Sequence, residues 1–170
     1  MIRKCSEQDV NEMWKIINDG AQAYKGIIPE DQYHDPYMSM DELLHEIESG
    51  VMFWGVEHDG ELVGVMGLQD KGDVALIRHA YVRTVKRKGG IGTQLLRHIA
   101  ALTEKPILIG TWEDAGWAIS FYTKNGYTLV PQEKKKGLLQ RYWQVSDRQI
   151  ETSVVLASPG YNDTGAVNFA

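Results

Sequence analysis

The chain of 170 residues carries 18 Lys and Arg against 23 Asp and Glu, a formal charge of −5, with 43% hydrophobic and 24% charged residues. That is enough for one domain with a real core, and too balanced a composition for gross disorder. The net acidity argues against nucleic acid as the main partner, because such binding rests on neutralising phosphates, and it suits a cationic acceptor. The one cysteine, Cys5, excludes a disulfide within the chain and a Cys-based zinc cluster, so no metal is expected. No apolar run approaches the ~20 residues of a membrane span, and the first residues lack the apolar segment of a secretory signal, so the expectation is a cytoplasmic protein with no membrane partner.

The first element is a short strand over 2–5. Ser6-Glu7-Gln8-Asp9 resembles a capping box with Asp in the place of Glu, and Val10, Met13, Trp14 and Ile17 follow at helical spacing. Residues 20–39 read as irregular and are rich in Tyr, Asp and Pro. A second capping box, Ser39-Met40-Asp41-Glu42, opens a helix with Leu43, Leu44 and Ile47 on its apolar face and Gly50 as its stop.

The pattern then turns to strands. Residues 51–57 are apolar and β-prone, Asp59-Gly60 is a hairpin signal, and 62–68 form the return strand. A third long strand runs over 74–82. After a glycine-rich turn, Ile91, Leu95, Leu96, Ile99 and Leu102 share one helical face. A strand at 106–112, a helix at 115–124 ended by Asn125-Gly126, and a short strand at 127–130 come next. Residues 132–143 have no firm assignment, a helix being the option they offer, and Lys134-Lys135-Lys136 reads as a solvated run. Residues 149–157 read as the closing strand, and 158–170 as a loosely held tail. The order β-α-α-β-β-β-α-β-α-β-β predicts an α+β fold: a central mixed, mostly antiparallel sheet of about seven strands with four or so helices. It lacks the regular alternation of a Rossmann fold. Residues 1–157 read as a single domain.

The most informative stretch runs from Tyr81 to Leu96. A strand ends near Val82, a basic turn of Arg83, Lys86, Arg87 and Lys88 follows, and Gly89-Gly90-Ile91-Gly92-Thr93 opens a helix. Such a junction aims backbone N–H groups and the positive end of a helix at one spot, which suits a phosphate or pyrophosphate. A P-loop is rejected, because no Lys follows the glycines. A dinucleotide fingerprint is rejected too, because Leu95 stands where its last glycine belongs and the preceding strand lies in an antiparallel meander.

The form Arg87-x-x-Gly90-x-Gly92 after a strand ending Tyr81-Val82 resembles the acyl-CoA signature of the GNAT superfamily of N-acetyltransferases. Ala118-Ile119-Ser120-Phe121-Tyr122-Thr123-Lys124-Asn125-Gly126-Tyr127 resembles that family's second signature, and the paired strands around residues 60–65 are similar to its hairpin. The resemblance covers nearly the whole chain to about Ala157. It implies acetyl-CoA as cosubstrate, with backbone groups from Arg87 and Lys88 through Gly89, Gly90, Ile91 and Gly92 on the pyrophosphate and Thr93 adding a hydroxyl. Main-chain groups of Tyr81 and Val82 would meet the pantetheine arm, and the Val82 N–H would serve the oxyanion. Tyr122 occupies the position that commonly protonates the departing thiolate, which leaves Phe121 for the core.

The chemistry of amine attack on a thioester also asks for a base, since an alkyl ammonium must first lose a proton. Many members place a Glu on the strand before the glycine turn. Here Leu76, Ile77, Arg78 and His79 stand there, so that Glu is missing. His79 is one candidate, because imidazole is the side chain type that exchanges protons near neutral pH; in a regular strand it shares a face with Ala75, Ile77 and Tyr81, and a bulge would change its side. Glu113 and Asp114 are the alternative, holding a water chain or a cationic acceptor. Tyr24, Tyr33, His34, Asp35 and Tyr37 are candidate acceptor contacts, an aromatic and acidic mix able to hold an ammonium by cation–π attraction. The expected acceptor is a small-molecule amine or a peptide, attacked directly in a ternary complex. A non-catalytic acyl-CoA-binding domain and a protein acetyltransferase stay open as alternatives. The final strand and tail offer a surface for a homodimer.

Overall fold

The computed structural model describes residues 1–86, 89–159 and 161. The fold is α+β, with seven strands and six α-helices among the described residues. The chain divides into two compact units, one of residues 1–70 and 76–104, the other of residues 71–75 and 105–170.

The first unit begins with β1 (Ile2–Lys4) and α1 (Val10–Ala21). The capping box that joins them is formed: the Ser6 N–H donates to the Asp9 carboxylate at 2.7 Å. Arg3 reaches the same carboxylate at 2.9 Å and Glu57 at 2.6 Å, tying β1 to the start of α1. After two short 3-10 turns comes α2 (Met40–Glu48), where the Glu42 N–H donates to Ser39 Oγ at 3.1 Å and the Ser39 N–H donates to the Glu42 carboxylate at 3.3 Å. Then follow β2 (Met52–His58), β3 (Glu61–Asp70), β4 (Ala75–Val82) and α3 (Ile91–Ala100). The strands lie side by side in the order β1-β2-β3-β4, with β1–β2 and β2–β3 antiparallel.

One slip in this register decides which side chains share a face. Val56 pairs with Gly64, but Glu57 pairs with Leu62. The extra residue on β3 puts Leu62 and Val65 on one side, in a core with Met13, Ile16 and Ile17 of α1 and Leu43 of α2. Gly64 faces the other way, against α3: a Cβ there would lie 2.9 Å from Ile91 Cγ2. Gly67 is as tightly placed, since its Cβ would come 2.7 Å from Val51 Cγ1 and 2.9 Å from the Arg78 carbonyl oxygen.

The second unit holds β5 (Ile107–Trp112), α4 (Gly116–Lys124), β6 (Thr128–Leu129), α5 (Gln132–Tyr142), α6 (Asp147–Glu151) and β7 (Ser153–Ala157). β7 lies between β5 and β6 and is antiparallel to both. Two expectations fail here. The closing strand starts at Ser153 rather than residue 149, because Ser146 caps a short helix by accepting from the Gln149 N–H at 3.2 Å. The run at 134–136 is not wholly solvated either: Lys135 is buried, and its ammonium donates to the Ser153 carbonyl at 2.7 Å. Lys135 sits on the face that α5 turns toward β7, so its amine meets main-chain oxygen instead of water. Residues 162–170, most of the expected loose tail, lie outside the described residues.

Two outcomes follow. Gly67→Ala should lower the unfolding free energy by about 1–3 kcal/mol in urea titrations, because the Arg78 backbone cannot retreat as a side-chain tip could. Acid sensitivity should track Asp9, whose carboxyl is held down to about 2 chiefly by the hydrogen bond from Arg3. That stabilisation is complete above the ordinary carboxylate range and is lost as pH falls toward 2. Denaturation curves recorded from pH 5 to pH 2 should therefore be flatter for Arg3→Leu than for the parent chain.

Candidate active site

The second half of β4 is built differently from the first. Ala75, Leu76 and Ile77 are buried, whereas Arg78 through Val82 are each half-buried. The change comes at His79, whose φ of 57° puts a non-glycine residue in the left-handed region. Such a residue costs about 1–2 kcal/mol and bends the strand. In a regular strand, neighbours point to opposite faces. Here Arg78 and His79 both reach one carboxylate. His79 Nε2 lies 2.8 Å from Glu46 Oε1, and Arg78 lies 3.1 Å from the same oxygen. The left-handed residue breaks that alternation, and His79 reaches Glu46 on α2.

Glu46 thus supplies a carboxylate that the strand itself lacks. Burial opposes its ionisation, but the hydrogen bond from His79 and the charge of Arg78 outweigh it, and the carboxyl is held below its usual range. An ionised carboxylate only accepts, so His79 Nε2 carries the proton and donates. The imidazole also stacks on Phe53, with ring centroids 6.2 Å apart. Arg78 is held a second time by Gln69 Oε1 at 3.2 Å, and the Gln69 amide donates to the Ser49 carbonyl at 3.0 Å. Burial alone would lower the affinity of Arg78 for its proton, and Glu46 offsets this in part. Sequence reasoning missed Glu46. It stands on the exposed-reading side of an amphipathic helix, and its partners Arg78 and His79 lie 32 and 33 residues later.

Past β4 the chain is anchored at several points. The Arg83 N–H donates to the Val63 carbonyl at 2.9 Å. Successive N–H groups of a strand point to opposite edges, so the Val82 N–H is directed away from β3. The Arg83 guanidinium donates to the Leu62 carbonyl and to Glu12, each at 2.9 Å. This corrects its place in the basic field of the turn: its charge is met by α1. Asp19, also on α1, accepts from the Thr84 N–H at 2.8 Å. Lys86 is exposed, and Arg87 and Lys88 lie outside the described residues.

Gly90 then opens α3 with φ 76° and ψ 8°, a left-handed entry that only glycine adopts freely. The first helical bond is from the Gln94 N–H to the Gly90 carbonyl, 3.0 Å. The N–H groups of Ile91, Gly92 and Thr93 therefore have no partner within the helix, and its first turn carries no acidic side chain. Gly89, Gly90, Gly92 and Thr93 are exposed or half-buried, while the Ile91 side chain is buried beneath them at 3%. The arrangement fits an anionic phosphate group.

The acceptor candidates are also partly assembled. Tyr24 stands 5.2 Å from Tyr37 and 6.3 Å from Tyr81, centroid to centroid, and Tyr33 and His34 lie 6.1 and 6.5 Å from Tyr37. Tyr37 is the hub that joins them. Gly20 on α1 makes room for Tyr81, since a Cβ there would lie 2.8 Å from the Tyr81 ring. In the second unit, Glu113 is exposed at the end of β5 and its N–H donates to the Thr152 carbonyl at 2.8 Å.

Tyr122, on α4, is 7% exposed, while Phe121 is half-buried, so the core position falls to Tyr122 and not to Phe121. Its ring lies 5.1 Å from Phe121 and 6.1 Å from Tyr127 in edge-on contacts. Burial pushes the Tyr127 phenol up to about 12. Burial likewise pushes the Cys5 thiol up to about 12, which leaves it unreactive near neutral pH. No group of three His, Cys, Asp or Glu residues able to hold a metal ion occurs among the described residues, and no described helix is long and apolar enough to cross a membrane.

No curated protein sequence matches the chain. Among solved structures, it is similar to the PaiA N-acetyltransferase of Thermoplasma acidophilum in complex with coenzyme A, with TM-score 0.71, 20% identity, and coverage of 93% of this chain and 97% of that one. It is similar to a GNAT-family acetyltransferase of Staphylococcus aureus Mu50, with TM-score 0.68, 19% identity and the same coverage. It is also similar to the ribosomal-protein-S18-alanine N-acetyltransferase of Escherichia coli, with TM-score 0.66, 14% identity and 99% coverage of both chains. The model of the Acetyltransferase (GNAT) domain matches residues 49–129, a span that includes β4, the glycine turn and α4. Residues 49–129 thus match the GNAT acetyltransferase domain, and the chain has the fold of the solved GNAT acetyltransferases.

Proposed function

We propose that this protein transfers the acetyl group of acetyl-CoA to an amine acceptor by direct attack in a ternary complex. The observation that carries this reading is the glycine-opened N-terminus of α3 directly after β4, inside the span that matches the GNAT domain. The N–H groups of Ile91, Gly92 and Thr93 bind the pyrophosphate there, with Gly89 and Gly90 allowing its approach and Arg87 and Lys88 adding positive charge. Main-chain groups of Tyr81 and Val82 pair with the pantetheine arm. The Val82 N–H, directed away from β3, donates to the oxyanion that forms as the amine attacks.

Tyr122 gives its phenolic proton to the departing thiolate, and burial among Phe121 and Tyr127 holds its ring in place. His79 accepts the proton of the attacking ammonium. Its Nε2 faces Glu46, so Nδ1 holds the lone pair. Tyr24, Tyr33 and His34, gathered on Tyr37, contact the acceptor, and Glu113 adds negative charge for a cationic amine. The acceptor is a small amine or a peptide amine, and the reaction belongs to the cytoplasm, where acetyl-CoA is made and used. Cys5 takes no part: with its thiol pushed up to about 12, a covalent acyl-enzyme has no nucleophile at that position.

Tyr122→Phe keeps the packing and removes only the hydroxyl. Thiol release from acetyl-CoA, measured with alkyl, aromatic and polyamine acceptors and with lysyl and N-terminal peptides, should fall about 10²-fold. Affinity for CoA by calorimetry should stay within about twofold, since the proposed pyrophosphate and pantetheine contacts come from main-chain groups that the substitution leaves in place. CoA binding without thiol release to any acceptor would identify a binding domain instead. Gly90 tests the cradle. No atom lies within 4 Å of a Cβ built there, so substitution acts through the backbone alone. Gly90→Ala should cost about 1 kcal/mol of stability and weaken CoA binding, Gly90→Asn less, and Gly90→Val more.

A further inference from the structure

We infer that Glu46 is the positioning residue for the base, fixing His79 with Nε2 protonated and stabilising the imidazolium that forms when Nδ1 takes the acceptor's proton. The inference rests on the assignment of His79 as base and adds the group that makes it competent. Three observations meet here. His79 adopts a left-handed backbone in mid-strand, at φ 57°, a strained state that persists only where surrounding structure holds it. The strain brings two neighbouring residues, Arg78 and His79, to one carboxylate from a different element, at 3.1 and 2.8 Å. And all three side chains are largely withdrawn from water, with exposures of 18%, 16% and 17% for Arg78, His79 and Glu46.

The surroundings account for each charge. Glu46 on α2 accepts from His79 and faces Arg78, with the charge of His45 on its own helix adding a weaker attraction. Phe53 of β2 covers the imidazole, and Gln69 of β3 binds Arg78. One carboxylate thus faces one permanent cation and one switchable one. The Nε2–H bond, made by His79 in both protonation states, and the charge of Arg78 together hold Glu46 below its usual range, so the hydrogen bond persists through proton transfer. In the step itself, the N–H bond of the acceptor ammonium breaks, a new N–H bond forms at Nδ1, and the freed lone pair attacks the thioester carbonyl. The positive charge moves from the acceptor to His79, beside the anionic Glu46. The proton leaves Nδ1 for solvent before the next turnover.

Glu46→Gln tests this while keeping the size of the side chain and an acceptor for Arg78. Histidine ring NMR needs no acceptor: the His79 signals, assigned by their loss in His79→Asn, should show the Nε2–H tautomer in the parent protein. In Glu46→Gln their titration should move to lower pH, because the imidazolium has lost its counter-charge. With whichever amines support thiol release, the acidic limb of kcat/KM should move the same way and its plateau should fall about tenfold. His79→Asn should remove that limb and abolish the effect of adding Glu46→Gln. A parent tautomer with Nδ1 protonated, or a His79 titration unmoved in Glu46→Gln, overturns the role of Glu46 while leaving His79 as base. Full activity with an unchanged pH profile in His79→Asn overturns the base assignment, and this inference with it.

Discussion

The left-handed backbone at His79 is the constraint on which the described site depends. Without it β4 would alternate regularly, and Arg78 and His79 would diverge to opposite faces. With it, both turn to Glu46 of α2, and the strand enters its open half. The local cost, about 1–2 kcal/mol, is of the same order as one buried charge-assisted hydrogen bond. His79 and Glu46 form one such bond, and Gly67 leaves the room that the Arg78 carbonyl occupies. Backbone strain, a glycine on the neighbouring strand and a carboxylate on a helix are therefore parts of one device.

The turn after β4 follows a similar economy. A phosphate cradle needs positive potential and exposed N–H groups, yet a run of basic side chains at one turn repels itself. The structure separates the two demands. Arg83 is turned back onto Glu12 and the Leu62 carbonyl, where it fastens the chain, and Thr84 is held by Asp19. Among the described residues at the start of α3, Gly89, Gly90 and Gly92 leave main chain facing outward. On the proposed reading, contacts made there are set by helix geometry, which is rigid, whereas long side chains would lose rotamer freedom on binding.

Much of this could be read from the sequence, and the failures have physical causes. Both capping boxes, the Asp59-Gly60 turn and the glycine-opened helix were legible because each depends on residues within four positions of one another. The aromatic group of Tyr24, Tyr33, His34 and Tyr37 was legible as a composition, although its link to Tyr81 through Gly20 was not. Glu46 gave no signal, because its partners lie far along the chain, at a strand position where His79 takes a left-handed backbone. Lys135 misled for a related reason: three successive lysines look alike in sequence, and only the phase of α5 against β7 distinguishes the buried one. Tyr122 rather than Phe121 took the buried position because a helix of nine residues that mixes apolar side chains with Ser120, Thr123 and Lys124 gives no clear inner face.

Cys5 has a practical consequence. At pH 8 a thiol held near 12 is thiolate in only about one molecule in ten thousand. It is also the one sulfhydryl of the chain. A chromogenic disulfide that reacts with thiolates would therefore scarcely register the native protein, and free coenzyme released into solution would be read against a nearly silent background. The same inertness leaves Cys5 poorly disposed to oxidation, so storage without a reductant should not produce disulfide-linked pairs of chains.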